Sequence, residues 1–184
     1  MPRRLPTELE GLVLIEPDVH GDDRGFLLES FNDERWRQLG VETEFVQDNH
    51  SRSRRGTLRG LHFQLRPGQA KLVRCVRGRI WDVAVDLRRD SPTYARWEGY
   101  EIDDVSHRQL FVPVGYAHGF CVLSDEADVA YKVSSHFDPD TEAGIAWDDP
   151  EIGIEWPLSD PMLSERDRSA PGLAEVADRL PFSY

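Results

Sequence analysis

Arg59-Gly60-Leu61-His62-Phe63-Gln64 is the segment that decides the fold, together with Pro113-Val114-Gly115-Tyr116-Ala117-His118-Gly119-Phe120 further along the chain. Each segment carries one histidine in a strand-like run, and Lys71 lies between the two. A divalent metal needs imidazole nitrogens or carboxylate oxygens, whereas an ammonium offers three donors and no lone pair. The sequence therefore predicts an organic acid–base site that holds no metal and no other cofactor.

Composition limits the classes of protein that fit. The chain has 184 residues, enough for one core, and we predict a single domain over residues 1–184. Its 34 acidic and 22 basic residues give a net charge of -12, which argues against nucleic acid and anionic membranes as partners. No apolar run is long enough to span a bilayer, so we expect a soluble, cytoplasmic protein. Cys75 and Cys121 lie in apolar runs without redox or metal spacing and are expected to be buried free thiols.

Short extended runs separated by turn residues predict a mostly β chain, arranged as a barrel or sandwich. The predicted strands are Leu12–Glu16, Gly25–Phe31, Glu44–Asn49, Thr57–Gln64, Lys71–Val76, Arg79–Leu87, Trp97–Ile102, Arg108–Val112, Phe120–Leu123 and Val129–Phe137. Short helices are predicted over Asn32–Leu39 and Pro171–Leu180.

Two local patterns leave alternatives open. Within Arg79–Arg88, apolar residues alternate with a row that contains Asp82 and Asp86, so the polar row faces either a ligand cavity or solvent. Strict alternation would turn Arg59 and His62 to opposite sides of their strand, unless a bulge at Gly60 brings them to one side.

The histidine segments resemble the two-part motif of the cupin barrels. Gln64 stands where the motif has its second histidine, and Lys71 stands where it has a glutamate. More specifically, nearly the whole chain resembles the dTDP-4-dehydrorhamnose 3,5-epimerase family, a metal-free branch of the cupin-like jelly rolls. Besides the His118 segment, the matching stretches are Asp23–Phe26 with Glu29, Gln47–Ser51, Leu58–Gln64, Gln69–Val73, Asp82–Arg88, Ser91–Thr93, Tyr131–Lys132, Glu142–Ile145, Trp147–Pro150, Trp156–Pro157 and Leu163–Asp167.

This resemblance implies an all-β, cupin-like jelly-roll barrel with a few short peripheral helices. It also implies an isomerase acting on a dTDP-4-keto-6-deoxysugar, whose C3 and C5 centres are inverted through an enolate. By resemblance, His62 is the base, Tyr131 the acid, Lys71 the enolate stabiliser and Asp167 the partner of His62. The substrate-binding positions implied in the same way are Arg24, Phe26, Glu29, Gln47, Asn49, Arg59, His118, Glu142 and Arg166. Arg166 departs from the lysine that is usual in the family.

From local patterns alone, several of these residues would have structural roles and no part in catalysis. Tyr131 follows the apolar side of its strand and reads as a core tyrosine, and Asp167 reads as a helix cap or a solvated charge. Lys71 opens an apolar strand, so its ammonium needs either an enolate oxygen or an ion pair with Asp82 or Asp86.

Two other functions remain open on the sequence. One is a mono-epimerase that inverts only C3 or only C5 of a dTDP-4-keto-6-deoxysugar in secondary metabolism. The other is a cupin-type binding module or metal dioxygenase, which the missing ligands disfavour. The resemblance further implies a homodimer whose N-terminal strands cross to the partner and complete its site.

Overall fold

The computed structural model describes the whole chain, residues 1–184. The strands are β1 (Arg3–Leu5), β2 (Val13–Glu16), β3 (Val19–Asp22), β4 (Gly25–Leu28), β5 (Gln47–Arg54), β6 (Leu58–Gln64), β7 (Lys71–Arg77), β8 (Arg79–Asp86), β9 (Trp97–Asp103), β10 (Gln109–Val112), β11 (Tyr116–Val122), β12 (Glu126–Val133) and β13 (Glu142–Gly144). The helices are α1 (Asp33–Gln38), α2 (Glu165–Arg168) and α3 (Leu173–Val176), and a 3₁₀ turn follows at Ala177–Arg179.

The strands form two facing antiparallel sheets and a separate hairpin. One sheet has six strands in the order β1-β2-β10-β7-β12-β5, and the other has five in the order β13-β6-β11-β8-β9. β3 and β4 pair only with each other. Most neighbours in the sheets are distant in the chain, as in a jelly roll, so the predicted all-β class with few short helices is confirmed.

Three apolar clusters fill the molecule. The largest lies between the sheets and draws residues such as Val73 and Val129 from one sheet and Ile80 and Phe120 from the other. A second covers the outer face of the five-stranded sheet with side chains of the C-terminal segment, including Leu173 and Phe182. A third packs Trp36 of α1 on the outer face of the six-stranded sheet. The C-terminal segment and α1 therefore act as outer layers over the two sheets.

β8 answers the question that its alternating sequence left open. Val83 and Val85 point outward into the cluster under the C-terminal segment, whereas Ile80 and Ala84 point into the space between the sheets. Asp82 shares the inward face and is fully buried. The polar row of β8 therefore faces the interior, which is the cavity alternative and not the solvent one.

Every predicted strand is present, with shifted ends. The strand predicted over Glu44–Asn49 runs from Gln47 to Arg54, and the one predicted over Phe120–Leu123 begins at Tyr116. The predicted C-terminal helix Pro171–Leu180 is only the short α3 followed by the 3₁₀ turn. The unpredicted elements β1, β3, β13 and α2 have three or four residues each, too few to show a period.

Other features concern covalent state and membranes. Cys75 and Cys121 are free and buried, as predicted. No helix has the length and apolar character needed to cross a bilayer.

Candidate active site

A bulge in β6 turns Arg59 and His62 toward the same side. The pairing of β6 with β11 shifts register between His118 and Phe120, which lie opposite His62 and Arg59. Leu61 and Phe63 pack outward under the C-terminal segment, so His62 between them points inward. Gly60 makes the bulge possible, because a Cβ there would lie 2.6 Å from the Gly119 Cα. The bulge interpretation of the sequence is confirmed.

His62 is paired with Asp167. Its Nε2 lies 2.5 Å from Oδ1 of Asp167, a carboxylate that is 5% exposed. Asp167 reaches this position because the short helix α2 starts at Ser164, whose hydroxyl accepts the Asp167 amide. Burial raises the pKa of Asp167, but hydrogen bonds from His62, Ser164 and the Gly60 amide outweigh burial, and the net pKa is lowered. Asp167 is therefore an ionised partner of the imidazole, not a solvated charge.

Lys71 lies at the bottom of the same interior, without a counter-ion in direct contact. Its side chain is on the inward face of β7, it is 8% exposed, and its Nζ has one polar contact, 3.4 Å from the His62 carbonyl oxygen. Burial lowers the pKa of Lys71 to about 8, against the opposing effect of Glu142 and Asp82. The alternative of a direct ion pair with Asp82 or Asp86 is wrong, because those carboxylates are bonded to His118 and Arg88.

Tyr131 faces His62 from the opposite wall. It lies on β12 in the six-stranded sheet, whereas His62 lies on β6 in the other sheet, and it packs against the cluster between them. Burial and the charge of Glu142 raise the pKa of Tyr131, so the phenol keeps its proton at neutral pH. A proton acceptor and a proton donor therefore approach the interior from opposite sides.

Gln47 and Asn49 extend the wall that carries Tyr131. Asn49 is directly opposite Tyr131 in the pairing of β5 with β12, and its Oδ1 accepts a hydrogen bond of 2.9 Å from Gln47 Nε2. Further along β5, Ser53 Oγ accepts from Arg59 Nε at 3.0 Å. The row of amides and hydroxyls on β5 thus leads from Tyr131 to the guanidinium of Arg59.

The remaining arginines of the cluster 52–59 do not join Arg59. Arg52 pairs with Asp128 and Arg55 with Asp125, and both guanidinium groups are more than half exposed. Arg54 is exposed as well. Arg59 is exposed as well, but it lies opposite the inward-facing Phe120 and its charge lowers the pKa of Tyr131, so it is the member of the cluster on the inward side of its strand. The solvated-loop interpretation holds for the others.

His118 has a carboxylate of its own. It lies opposite His62 on β11, and its Nε2 is 3.0 and 2.9 Å from the two oxygens of Asp82 on β8. Both residues are buried. Sequence reasoning missed Asp82 as a site residue, although its place in the polar row of β8 was the available signal.

Glu142 and Arg166 form an ion pair beside the histidines. Glu142 lies on β13, which pairs with β6, and Arg166 immediately precedes Asp167 on α2. The guanidinium donates to the Glu142 carboxylate, whose side chain is 17% exposed. Both charges influence Lys71, since Glu142 raises its pKa and Arg166 lowers it. The ion pair therefore belongs to the same electrostatic group as Lys71.

Three predicted residues are not brought to this group within one chain. Arg24, Phe26 and Glu29 lie on or next to the β3–β4 hairpin. Arg24 pairs with Asp22, Glu29 pairs with Arg35, and the exposed ring of Phe26 stacks on His107. None of these contacts involves the His62 group, so a part for these three residues in that site stays a prediction.

The interior combines a paired base, a buried cation, a protonated phenol and a guanidinium. No group of three or more His, Cys, Asp and Glu side chains is arranged to hold a metal ion, and whether the protein is metal-free stays a prediction. This set of side chains can remove a proton next to a carbonyl, stabilise the resulting enolate and return a proton from the other side.

Comparison with known proteins gives consistent results. A profile of the family described as dTDP-4-dehydrorhamnose 3,5-epimerase matches residues 6–175. A protein of that name from Methanothermobacter thermautotrophicus is 50% identical over 94% of this chain and 95% of its own length. A dTDP-4-dehydrorhamnose 3-epimerase from Streptomyces niveus is 46% identical over 96% of this chain and 86% of its own length. The crystal structure of dTDP-6-deoxy-D-glucose-3,5-epimerase from Legionella pneumophila, in complex with dTDP-4-keto-L-rhamnose, superposes with a TM-score of 0.96 at 43% identity over 100% of both chains.

Proposed function

The chain belongs to the dTDP-4-dehydrorhamnose 3,5-epimerase family, and on that premise we propose how its interior performs the reaction. The protein is an isomerase that converts dTDP-4-dehydro-6-deoxy-D-glucose into dTDP-4-dehydro-L-rhamnose by inverting C3 and C5. The product serves dTDP-rhamnose biosynthesis. The observation that carries the proposal is the position of His62 and Tyr131 on facing sheets, with the Lys71 ammonium buried between them.

His62 removes the proton next to the 4-ketone, and Asp167 stabilises the imidazolium that forms. Lys71 stabilises the negative charge on the ketone oxygen, an interaction that strengthens in a site from which water is excluded. Tyr131 returns a proton to the opposite face, because its raised pKa keeps the hydroxyl protonated. Each centre is inverted when the proton leaves on one side and arrives on the other.

A guanidinium group and side-chain amides bind the nucleotide. Arg59 offers the diphosphate a forked donor, and Gln47 and Asn49 contact the nucleotide or sugar from β5. His118, Glu142 and Arg166 contact the sugar from the side of Lys71. Arg166 replaces the family's usual lysine and keeps its positive charge.

The assembly is a homodimer in which N-terminal strands are exchanged. Each β3–β4 hairpin reaches the partner's site, where Arg24 and Glu29 bind the nucleotide and Phe26 stacks on the thymine. Support comes from the hairpin itself, which pairs with neither sheet and leaves Phe26 60% and Leu27 74% exposed. Single chains would therefore bind substrate poorly.

Residues 1–184 form one domain, because β2 and β8 each contribute to two of the three apolar clusters. Two free buried thiols fit the reducing cytoplasm as the protein's compartment.

A mono-epimerase is the second candidate function. The Streptomyces niveus relative is named a 3-epimerase and is 46% identical to this chain, so overall similarity does not separate the two activities. Inversion of one centre also needs a base and an acid on opposite faces, so both activities require Tyr131.

The deciding experiment follows deuterium at C3 and C5 by proton NMR, with dTDP-4-keto-6-deoxyglucose and the protein in D₂O. Double epimerisation labels both carbons, and His62→Ala abolishes labelling at both. His50→Ala is the matched control, since His50 points outward from β5 with its side chain 60% exposed. Labelling at one carbon would establish the mono-epimerase, and labelling at neither would refute enolisation of this substrate.

A further inference from the structure

Gln64 is a buried residue to which the proposed reaction gives no role. It is 3% exposed and lies on β6 two residues after His62, on the same inward face. Its Nε2 donates to the Asp138 carbonyl oxygen at 3.2 Å, and its Oε1 accepts from the Thr141 hydroxyl at 2.6 Å. Breaking either bond would leave a buried polar group unpaired. The Gln64 amide therefore holds the chain at Asp138 and Thr141 in one place.

The stretch that Gln64 holds leads directly into Glu142. Glu142 is the first residue of β13, and its amide donates at 3.0 Å to the same Asp138 carbonyl oxygen. In the pairing of β13 with β6, Glu142 lies directly opposite Gln64, so both side chains project to the same face of the sheet. β13 has three residues and is the edge strand of its sheet, so its own ladder offers few hydrogen bonds. The position of Glu142 therefore depends on the bonds made by Gln64.

Glu142 connects this position to the group around Lys71. Its carboxylate accepts from Arg166, the residue before the Asp167 that bonds to His62. Among the charged groups near Lys71, Glu142 has the largest effect on the pKa of the ammonium, which it raises. A displaced Glu142 would therefore change the part of the interior assigned to the sugar.

The segment between β12 and β13, residues 134–141, is also bonded at its other end. The Phe137 amide donates to Gln47 Oε1 at 3.1 Å, and Gln69 Nε2 donates to the Ser135 carbonyl oxygen at 2.9 Å. Gln47 lies on β5 of the six-stranded sheet, whereas Gln64 lies on β6 of the five-stranded sheet. The segment thus crosses from one sheet to the other and is bonded to a glutamine of each.

We propose that Gln64 is a positioning residue for Glu142 and, through Glu142, for the sugar of the substrate. Gln47, which bonds to the same segment from the other sheet, acts on the nucleotide instead. The attachment of Glu142 to Gln64 follows from the hydrogen bonds of the chain, whereas the effect on the sugar rests on the proposed function.

The first test needs no substrate. Deuterium uptake of the full-length protein is followed by mass spectrometry in peptides that cover residues 138–142. Gln64→Met keeps the length of the side chain and removes both bonds, so these amides should exchange about 10-fold faster. Unchanged uptake at the Glu142 amide in Gln64→Met would overturn the proposal.

Two other variants complete this test. Gln69→Met removes a bond of the same kind from the same segment, but on the β12 side, and it should leave the uptake at Glu142 unchanged. Thr141→Val removes the hydroxyl that bonds to Gln64 from a half-buried position. It should act in the same direction as Gln64→Met, and it replaces that variant if Gln64→Met does not fold.

The second test separates the sugar from the nucleotide. Calorimetry measures the Kd of dTDP and of dTDP-glucose, a dTDP-hexose without the ketone. Gln64→Met should weaken dTDP-glucose about 10-fold, the effect of losing one hydrogen bond to a charged group, and leave dTDP within about twofold of wild type. Gln69→Met should change neither Kd. Equal losses for both ligands in Gln64→Met would indicate a general structural effect and would overturn the proposal.

A double variant tests the route through Glu142. In a Glu142→Gln background, Gln64→Met should weaken dTDP-glucose by no more than about twofold further, because the contact that it disturbs is already gone. A further loss of about 10-fold would show that Gln64 acts independently of Glu142, and the proposed route would be wrong.

Failure of this inference is distinguishable from failure of the proposed function. A wild-type protein that bound neither dTDP compound would contradict the proposed function, and the uptake at Glu142 would still decide whether Gln64 holds the segment. Normal binding by the wild type with unchanged uptake in Gln64→Met would refute the role of Gln64 and leave the proposed function standing.

Discussion

Replacing Lys71 with methionine should stabilise the folded protein and remove most of its enzymatic activity. Lys71 is 8% exposed and has no ion-pair partner, and burial lowers its pKa from 10.5 to about 8. That difference corresponds to about 3 kcal/mol of unfavourable free energy for keeping the ammonium in the folded interior. Methionine has a similar length and no charge, so Lys71→Met should recover up to about 3 kcal/mol at pH 7, or roughly 6–12 °C in Tm.

The pH dependence gives the sharper result. Below pH 8 the lysine is charged in both the folded and the unfolded chain. The free energy of unfolding of the wild type is therefore lower than that of Lys71→Met by the full amount. Between about pH 8 and 10.5 the folded state loses the proton while the unfolded state keeps it, and the wild type gains stability as pH rises. The difference between wild type and Lys71→Met should therefore shrink over this interval.

Urea unfolding at a series of pH values measures both effects. Lys132, the other lysine of the chain, provides the control, because it pairs with the exposed Asp48 on the outer face of β12. Lys132→Met should change the stability by less than about 1 kcal/mol. A Lys71→Met protein that is less stable than wild type at pH 7, or a difference that stays constant up to pH 10.5, would refute the desolvation argument.

Two further predictions concern the elements that hold His62. Gly60→Ala should cost more than about 2 kcal/mol, because its Cβ would lie 2.6 Å from Gly119 Cα and 2.7 Å from the His118 carbonyl oxygen, whereas Gly56→Ala, with the same sign of φ and open space, should cost about 1 kcal/mol. Equal losses in urea unfolding of the two variants would contradict the steric account of the bulge. Asp167→Asn should lower kcat by about 10²–10⁴-fold with the sheets intact by circular dichroism. Since the folded pKa of Asp167 is lowered, its contribution to stability is present above the ordinary carboxyl pKa and is lost in acid, so a wild-type advantage that persisted at low pH would argue against this contribution.

Sequence reasoning predicted the fold class correctly, and it predicted the strands that carry the candidate site where patterns were local. The alternation in β8 and the strands around both histidines follow from residue order within a few positions. The bulge at Gly60 was one of two alternatives in the sequence, and the pairing of β6 with β11 decides it. The family resemblance supplied roles for Tyr131 and Asp167 that local patterns assigned to the core and to a helix cap. Their geometry agrees with the resemblance, since Tyr131 faces the interior and Asp167 bonds to His62.

What the sequence could not supply are pairings between distant segments. The partner of Asp82 depends on the register of β8 against β11, and the ion pair of Glu142 with Arg166 joins a short strand to a short helix. β5 was predicted too short because Asp48, His50, Arg52 and Arg54 alternate with other polar residues, so neither face shows an apolar period. Strands of this kind are defined by their neighbours and not by their own residues.

The C-terminal segment couples catalysis to the outer packing of the molecule. The same stretch that supplies Asp167 goes on to cover the apolar outer face of β6 and β8 with Leu173, Leu180 and Phe182. Its attachment to β6 is by short backbone bridges, such as the hydrogen bond from the Leu58 amide to the Met162 carbonyl. Local fraying of this layer would separate the imidazole from its carboxylate while both sheets remain folded. The temperature at which activity is lost would then measure how stably the C-terminal segment is attached to the sheet. It would lie below the temperature at which the barrel itself unfolds.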